Sequence, residues 1–258
     1  MDRTVSCDRS RLPTRNRRLE NDESMFLLGG TAFSGKTLLA HLLNQGQIVC
    51  LDEPDFHDPA QRHRGIPVLS ALFPEKTFPD PAERDIPFSE AVAFIEKCQD
   101  VIRPSNLGMK TAGWVFVEYA RVYRASGYPV IAVIRDIRDV LAEAPLPEWV
   151  GGEPGLNRAF RSLWKNLDLC DLWIRYEDFV TKPDEIFQSV SKTLGCELEL
   201  APGWSAESVH HTMFKLGRHD MLRTGSISRE KVGIWKNSER AFTEETSMTA
   251  AMMGYSEG

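Results

Sequence analysis

Residues 25–46 read MFLLGGTAFSGKTLLAHLLNQG, and the reading of this stretch decides the fold. Four apolar residues, Met25, Phe26, Leu27 and Leu28, run into the pair Gly29-Gly30. Residues 30–37, GTAFSGKT, then match the phosphate-loop pattern G-x-x-x-x-G-K-[ST] at every fixed position. Leu38, Leu39, Leu42 and Leu43 follow at the spacing of one helical face. A strand, a glycine-rich turn and a helix are the context this motif requires. Successive backbone amides and the helix N-terminus form a positive cradle for phosphate oxygens. Gly35 permits close backbone approach, Lys36 adds a full charge and Thr37 a hydroxyl. The expected ligand is a phosphorylated donor, held by Ser34, Gly35, Lys36 and Thr37.

The rest of the chain sets bounds on what that donor serves. At 258 residues it has mass for one large α/β domain. Its 42% hydrophobic and 26% charged content is that of a water-soluble globular protein. A net charge of −6 argues against nucleic acid as a partner. No apolar run approaches the ~18 residues of a membrane span, and the N-terminus has no signal-peptide core. Five scattered cysteines, Cys7, Cys50, Cys98, Cys170 and Cys196, imply neither a disulfide framework nor a metal site. The expected compartment is therefore the cytoplasm. His210-His211 reads as a surface pair.

Residues 1–24 are polar and charged and read as a flexible tail, with the domain spanning 25–258. Gly46 is placed to close the first helix, and residues 47–51 (QIVCL) form a second strand ending in Asp52-Glu53-Pro54-Asp55. Residues 54–88 carry seven prolines and little periodicity, which predicts a long irregular excursion. A helix resumes at Ser89 as N-cap, its apolar face including Val92, Ile95, Cys98 and Ile102. Another runs from Thr111 to Ser126 and stops at Gly127. Residues 129–134 (PVIAVI) are a continuous apolar run, the mark of a strand buried on both faces. Residues 172–174 form a further strand, and Thr181-Lys182-Pro183-Asp184 caps a helix that Gly195 closes. Strands alternating with helices predict a three-layer α/β fold with a mostly parallel central sheet. Ligands in such sheets sit beyond the carboxyl ends of the strands. The chemistry is thus expected at the phosphate loop, Asp52–Asp55, Lys110, Arg135–Glu143 and Arg175–Asp178.

Four segments, in order, resemble the sulfotransferase superfamily, whose donor is 3′-phosphoadenylyl sulfate. The strand–loop–helix ending SGKT (34–37) looks like the 5′-phosphosulfate loop. PVIAVIRDIRDV (129–140) looks like the 3′-phosphate motif. LWIRYEDFVTKPDEIFQSVSKTLG (172–195) is similar to the family's RYED segment, and SREKVGIWKN (228–237) to its late basic loop. Met109-Lys110-Thr111 resembles a turn whose lysine faces the transferring group, and Leu51-Asp52-Glu53 an acidic turn that supplies a general base. The sequence departs from the pattern at three places. Phe33 stands where a basic residue is common, Lys36 where threonine is usual, and Glu143 where the 3′-phosphate motif has serine. A carboxylate repels a phosphate, so Glu143 either turns away or the donor is not the usual one.

The resemblance implies sulfuryl transfer to the hydroxyl of a small or medium-sized organic acceptor. Lys36 and Lys110 are the expected catalytic cations, with Glu53 as base, followed by Asp52, Asp55 and His57. Arg135, Arg229 and Lys231 are expected on the 3′-phosphate, and Trp235 either on the adenine or in the core. Residues 175–178 form a structural corner anchoring the following helix. Residues 54–88 and 144–157 are expected to shape the acceptor pocket or its lid. No metal is needed, since lysines supply the positive charge. Two other readings stay open: a P-loop kinase with Thr37 and Asp52 around Mg²⁺, and a catalytically idle nucleotide-binding protein. The sequence leaves the oligomeric state open.

Overall fold

The structure is a computed structural model that describes residues 25–44, 48–81, 83–111, 113, 115–143, 145–198 and 230–256. The expected tail, Gly46, His210-His211 and Arg229 lie outside the described residues. Among the described residues, five strands form one sheet: β1 (Phe26–Gly30), β2 (Ile48–Asp52), β3 (Asn106–Lys110), β4 (Val130–Ile134) and β5 (Leu172–Arg175). Their order is β2-β3-β1-β4-β5, and every neighbouring pair is parallel. β1 is central, so the loop that follows it emerges at the middle of the sheet's carboxyl edge.

Side chains alternate across each strand, which divides the core into two layers. Phe26, Leu28, Ile48, Cys50, Ile131, Val133 and Ile174 pack with α1 (Lys36–Leu43), α7 (Tyr176–Thr181) and α8 (Pro183–Leu194). Leu27, Val49, Leu51, Leu107, Met109, Val130 and Ala132 face the other way. There they meet α3 (Phe88–Ile102), α4 (Phe116–Ser126), α5 (Ile137–Glu143), α6 (Gly152–Lys165) and α9 (Glu244–Met252). The expected three-layer α/β architecture is present. Residues paired in a parallel ladder share a face, and Lys110 pairs with both Asp52 and Leu28. Lys110 and Asp52 therefore project toward α1, whose first turn carries Thr37.

Several boundaries differ from the sequence reading. The stretch 54–88 is not wholly irregular: α2 (Pro59–Leu72) lies inside it, with Pro67 in its interior. Thr111 is extended rather than helical. Its N–H donates to Leu28 O at 3.0 Å, and α4 starts only at Phe116. α3 begins at Phe88 after Pro87, with no side-chain cap, so Ser89 is not the N-cap. Thr181 does not cap α8 either. Its hydroxyl donates backward to Glu177 O at 2.7 Å, and Pro183 opens the helix. Gly195 does close it, in the left-handed conformation.

Among the described residues β2 is an edge strand, and the Asn44 side chain covers part of its open backbone. Asn44 Nδ2 donates to Cys50 O at 3.0 Å and to Ala40 O at 2.9 Å, while Cys50 N donates to Asn44 Oδ1 at 2.8 Å. The amide thus imitates a neighbouring strand and ties the end of α1 to β2. Asn44→Ala removes partners from buried backbone groups and is expected to cost about 2 kcal/mol of stability. Urea unfolding checks this, and an unchanged midpoint would contradict the strand-mimic role.

Candidate active site at the carboxyl edge

The phosphate loop depends on two glycines. Gly30 has φ 145°, and an added Cβ would lie 2.2 Å from Val133 O. Gly35 has φ 89°, and a Cβ there would lie 2.4 Å from the Tyr176 ring. Tyr176, from the RYED corner, is thus the wall against which the loop is pressed. Four polar atoms around the loop are buried without a protein partner among the described residues: Thr31 Oγ1, Ser34 Oγ, Thr111 Oγ1 and Arg135 Nε. Unsatisfied buried groups cost about 1–3 kcal/mol each. Their gathering at one loop fits a ligand rich in acceptor oxygens.

Two lysines converge on this loop. Lys110 is 2% exposed. Its Nζ donates to Thr37 Oγ1 at 3.0 Å and to Glu53 Oε1 at 3.0 Å, and it pairs with Asp52. Burial alone lowers a lysine pKa. Here attraction to Asp52 and Glu53, and hydrogen bonds to both, outweigh burial and hold the Lys110 pKa above its ordinary value. Lys110 is therefore a fixed ammonium. Lys36 is also buried, with Nζ donating to Thr31 O at 3.1 Å. Burial pushes its pKa down to about 8, repulsion from Lys110 adds to this, and Glu53, Asp52 and Asp55 limit the fall. Glu53 has φ 50° and Asp55 φ 26°, left-handed conformations that cost a side-chain-bearing residue about 1–3 kcal/mol. The Glu53 N–H still donates to Lys110 O at 2.8 Å, so the ladder continues one residue past β2 while the side chain turns onto Lys110. His57 is stacked on Phe88 at 4.6 Å, and its backbone N–H donates to Tyr119 Oη at 3.0 Å.

A second charged group borders the loop. Arg135, 2% exposed, follows β4 and lies over the Tyr176 ring at 4.7 Å. Its Nη1 donates to Phe33 O at 3.3 Å and to Glu143 Oε2 at 2.5 Å, and its Nη2 to Lys231 O at 2.7 Å. Lys231 also pairs with Glu143. Glu143 does not turn away: α5 brings its carboxylate between the two cations. Burial raises the Glu143 pKa, but hydrogen bonds from Lys231 and Arg135 outweigh it and hold the group below the ordinary range. The late loop is docked on the same helix. Asp139 accepts from Gly233 N at 2.8 Å and from Trp235 N at 3.1 Å. The Arg138 guanidinium covers the Trp235 ring at 3.8 Å and Phe242 meets its edge, so that face of Trp235 is not open to an adenine.

The corner at 175–178 anchors partners beyond the one the sequence indicated. Glu177 accepts from Asp136 N and Tyr255 Oη, both at 3.0 Å, and Arg175 Nη2 donates to Met253 O at 3.0 Å. It fixes the turn after β4 and the segment after α9 as well as the start of α8, where Lys182 N donates to Asp178 O at 2.8 Å. In the expected lid region, Trp149 is 60% exposed and stacks on Phe33, with ring centroids 6.3 Å apart. Sequence reasoning missed Tyr176 as the loop's wall and Thr31 as part of its lining. The signal for Tyr176 was a large side chain directly following β5.

This fold is that of sulfotransferase domains. The sulfotransferase domain from the curacin biosynthetic pathway aligns with a TM-score of 0.59 over 91% of this chain and 98% of its own, at 14% identity. The sulfotransferase domain from the Synechococcus PCC 7002 olefin synthase gives the same TM-score over 92% of this chain and 96% of its own, at 16% identity. No family model and no curated protein matches the sequence.

Lys36 gives the site a pH signature. Its positive charge is present below about pH 8 and is lost as the pH rises through that value. An anionic nucleotide is therefore expected to bind progressively more weakly from about pH 8 to about pH 10, and Lys36→Arg to flatten that fall, because arginine stays charged. Calorimetric titration across the range checks this. Equal affinity at both ends in the unsubstituted protein would contradict it.

Proposed function

We propose that this chain transfers a sulfuryl group from 3′-phosphoadenylyl sulfate to a hydroxyl of a small or medium-sized organic acceptor. The observation that carries the reading is the Lys110 ammonium bound by Thr37, Asp52 and Glu53. In a P-loop kinase the hydroxyl and the acidic residue belong to the Mg²⁺ shell. Here both hold a lysine, which supports a positive charge supplied by the protein at the phosphate loop. The fold shared with sulfotransferase domains supports the same reading.

In this mechanism the acceptor oxygen attacks sulfur as the bond from sulfur to the bridging phosphate oxygen breaks. Negative charge grows on the leaving phosphate, and Lys36 with the loop amides stabilises it. Lys110 neutralises the sulfuryl oxygens. Glu53, turned toward the Lys110 ammonium at 3.0 Å, takes the acceptor's proton, and Asp52 holds Lys110 in place. Arg135 and Lys231 serve the ribose side of the donor, with Arg229 as a further candidate from the sequence. The exposed Phe33–Trp149 stack borders the loop on the acceptor side and suits an organic substrate with apolar surface. Among the described residues, no helix is long and apolar enough to cross a membrane, and no His, Cys, Asp and Glu group forms a metal site.

Two results test this. Adenosine 3′,5′-bisphosphate should bind without Mg²⁺, and Mg²⁺ should not tighten ATP; tight binding of ATP–Mg²⁺ alone would favour a kinase. Lys110→Ala should lower turnover about a thousandfold or more with a panel of phenols and alcohols, yet change bisphosphate affinity by less than about tenfold. Lys36→Ala should weaken both. Loss of nucleotide binding alone in Lys110→Ala would place that lysine in recognition rather than in the chemistry.

A further inference from the structure

The Glu143 carboxylate binds two cations that the proposed function assigns to the donor's 3′-phosphate, Arg135 and Lys231. The arrangement is built by the fold. Asp139 and Glu143 lie four residues apart on α5 and so share a face. Asp139 fixes the backbone of the late loop through Gly233 and Trp235, which brings Lys231 onto Glu143. Arg135 reaches the same carboxylate while also touching the phosphate loop at Phe33 O. Charge at this position is therefore largely neutralised before any donor arrives.

Resting on the reading above, we propose that Glu143 is an internal stand-in for the donor's 3′-phosphate, so that the site also accepts adenosine 5′-phosphosulfate, which lacks that phosphate. A donor with a 3′-phosphate must displace Glu143 from Arg135 and Lys231. It exchanges one anion for another on the same cations and gains only the difference. A donor without it leaves the Arg135–Glu143–Lys231 group intact and still uses the loop, Lys36 and Lys110. The reaction with that second donor is balanced in the same way. The bond from sulfur to the bridging phosphate oxygen breaks, a bond from sulfur to the acceptor oxygen forms, the acceptor proton passes to Glu53, and adenosine 5′-monophosphate leaves.

The test compares adenosine 3′,5′-bisphosphate with adenosine 5′-monophosphate by calorimetry, on the unsubstituted protein and on Glu143→Gln. The unsubstituted protein should bind the two within about threefold of each other. Glu143→Gln keeps the side chain's shape and should tighten the bisphosphate by about tenfold, a change of ~1.4 kcal/mol, while the monophosphate moves by less than about threefold. A preference of the unsubstituted protein for the bisphosphate by more than about tenfold would overturn the proposal and leave the sulfotransferase reading standing. So would Glu143→Gln with an unaltered ratio between the two nucleotides. Failure of both nucleotides to bind the unsubstituted protein would overturn the donor reading and this inference together.

Discussion

The buried Lys110 ammonium and its three oxygen partners are the constraint on which the site depends. Withdrawing an ammonium from water costs several kcal/mol, and only close anions and hydrogen bonds offset it. The sheet supplies them by register. Asp52 on β2 stands opposite Lys110 on β3, and Glu53 completes the ladder before its left-handed backbone turns its carboxylate back. Thr37 arrives from the first turn of α1 because the same face of the sheet carries that helix. Fold, charge and position are thus one arrangement: the strands that build the core also set a permanent cation before the phosphate loop.

That cation has a neighbour with the opposite behaviour. Lys36 is buried beside Lys110, and desolvation together with repulsion draws its pKa to about 8. Lys110, clamped by carboxylates, stays charged. One lysine is fixed and the other responds to its surroundings, a division suited to a reaction in which one cation waits for the transferring group and the other meets the leaving oxygen. Further along the edge, Arg135 joins the loop to the late segment through Phe33 and Lys231, and Tyr176 supports both Arg135 and Gly35.

Much of this was legible in the sequence because it is carried by local pattern. The GTAFSGKT loop, the apolar run at 129–134 and the positions of Asp52, Glu53 and Arg135 at strand ends follow from spacing, whereas β3 (Asn106–Lys110) gives no such run and Lys110 is marked only by resemblance. What escaped depends on tertiary return. α2 was hidden by proline density and by Pro67 in its interior. The helix after Lys110 starts late because Thr111 is drawn into the ladder with Leu28. Glu143 reads as a repulsive defect when only its own segment is considered. It becomes a paired group once the late loop folds back and delivers Lys231. Asn44 gives no periodic signal, since its amide works by imitating a neighbouring strand that is absent among the described residues.

In the proposed mechanism a lysine, not a metal ion, provides the charge for transfer of a sulfuryl group. The most direct measurement follows sulfur-35 from labelled 3′-phosphoadenylyl sulfate into a hydroxyl acceptor in the presence of excess EDTA. A labelled sulfate ester is expected to form at the same rate with and without the chelator. Loss of transfer on chelation, or transfer of phosphorus-32 from the γ-position of ATP instead, would contradict it.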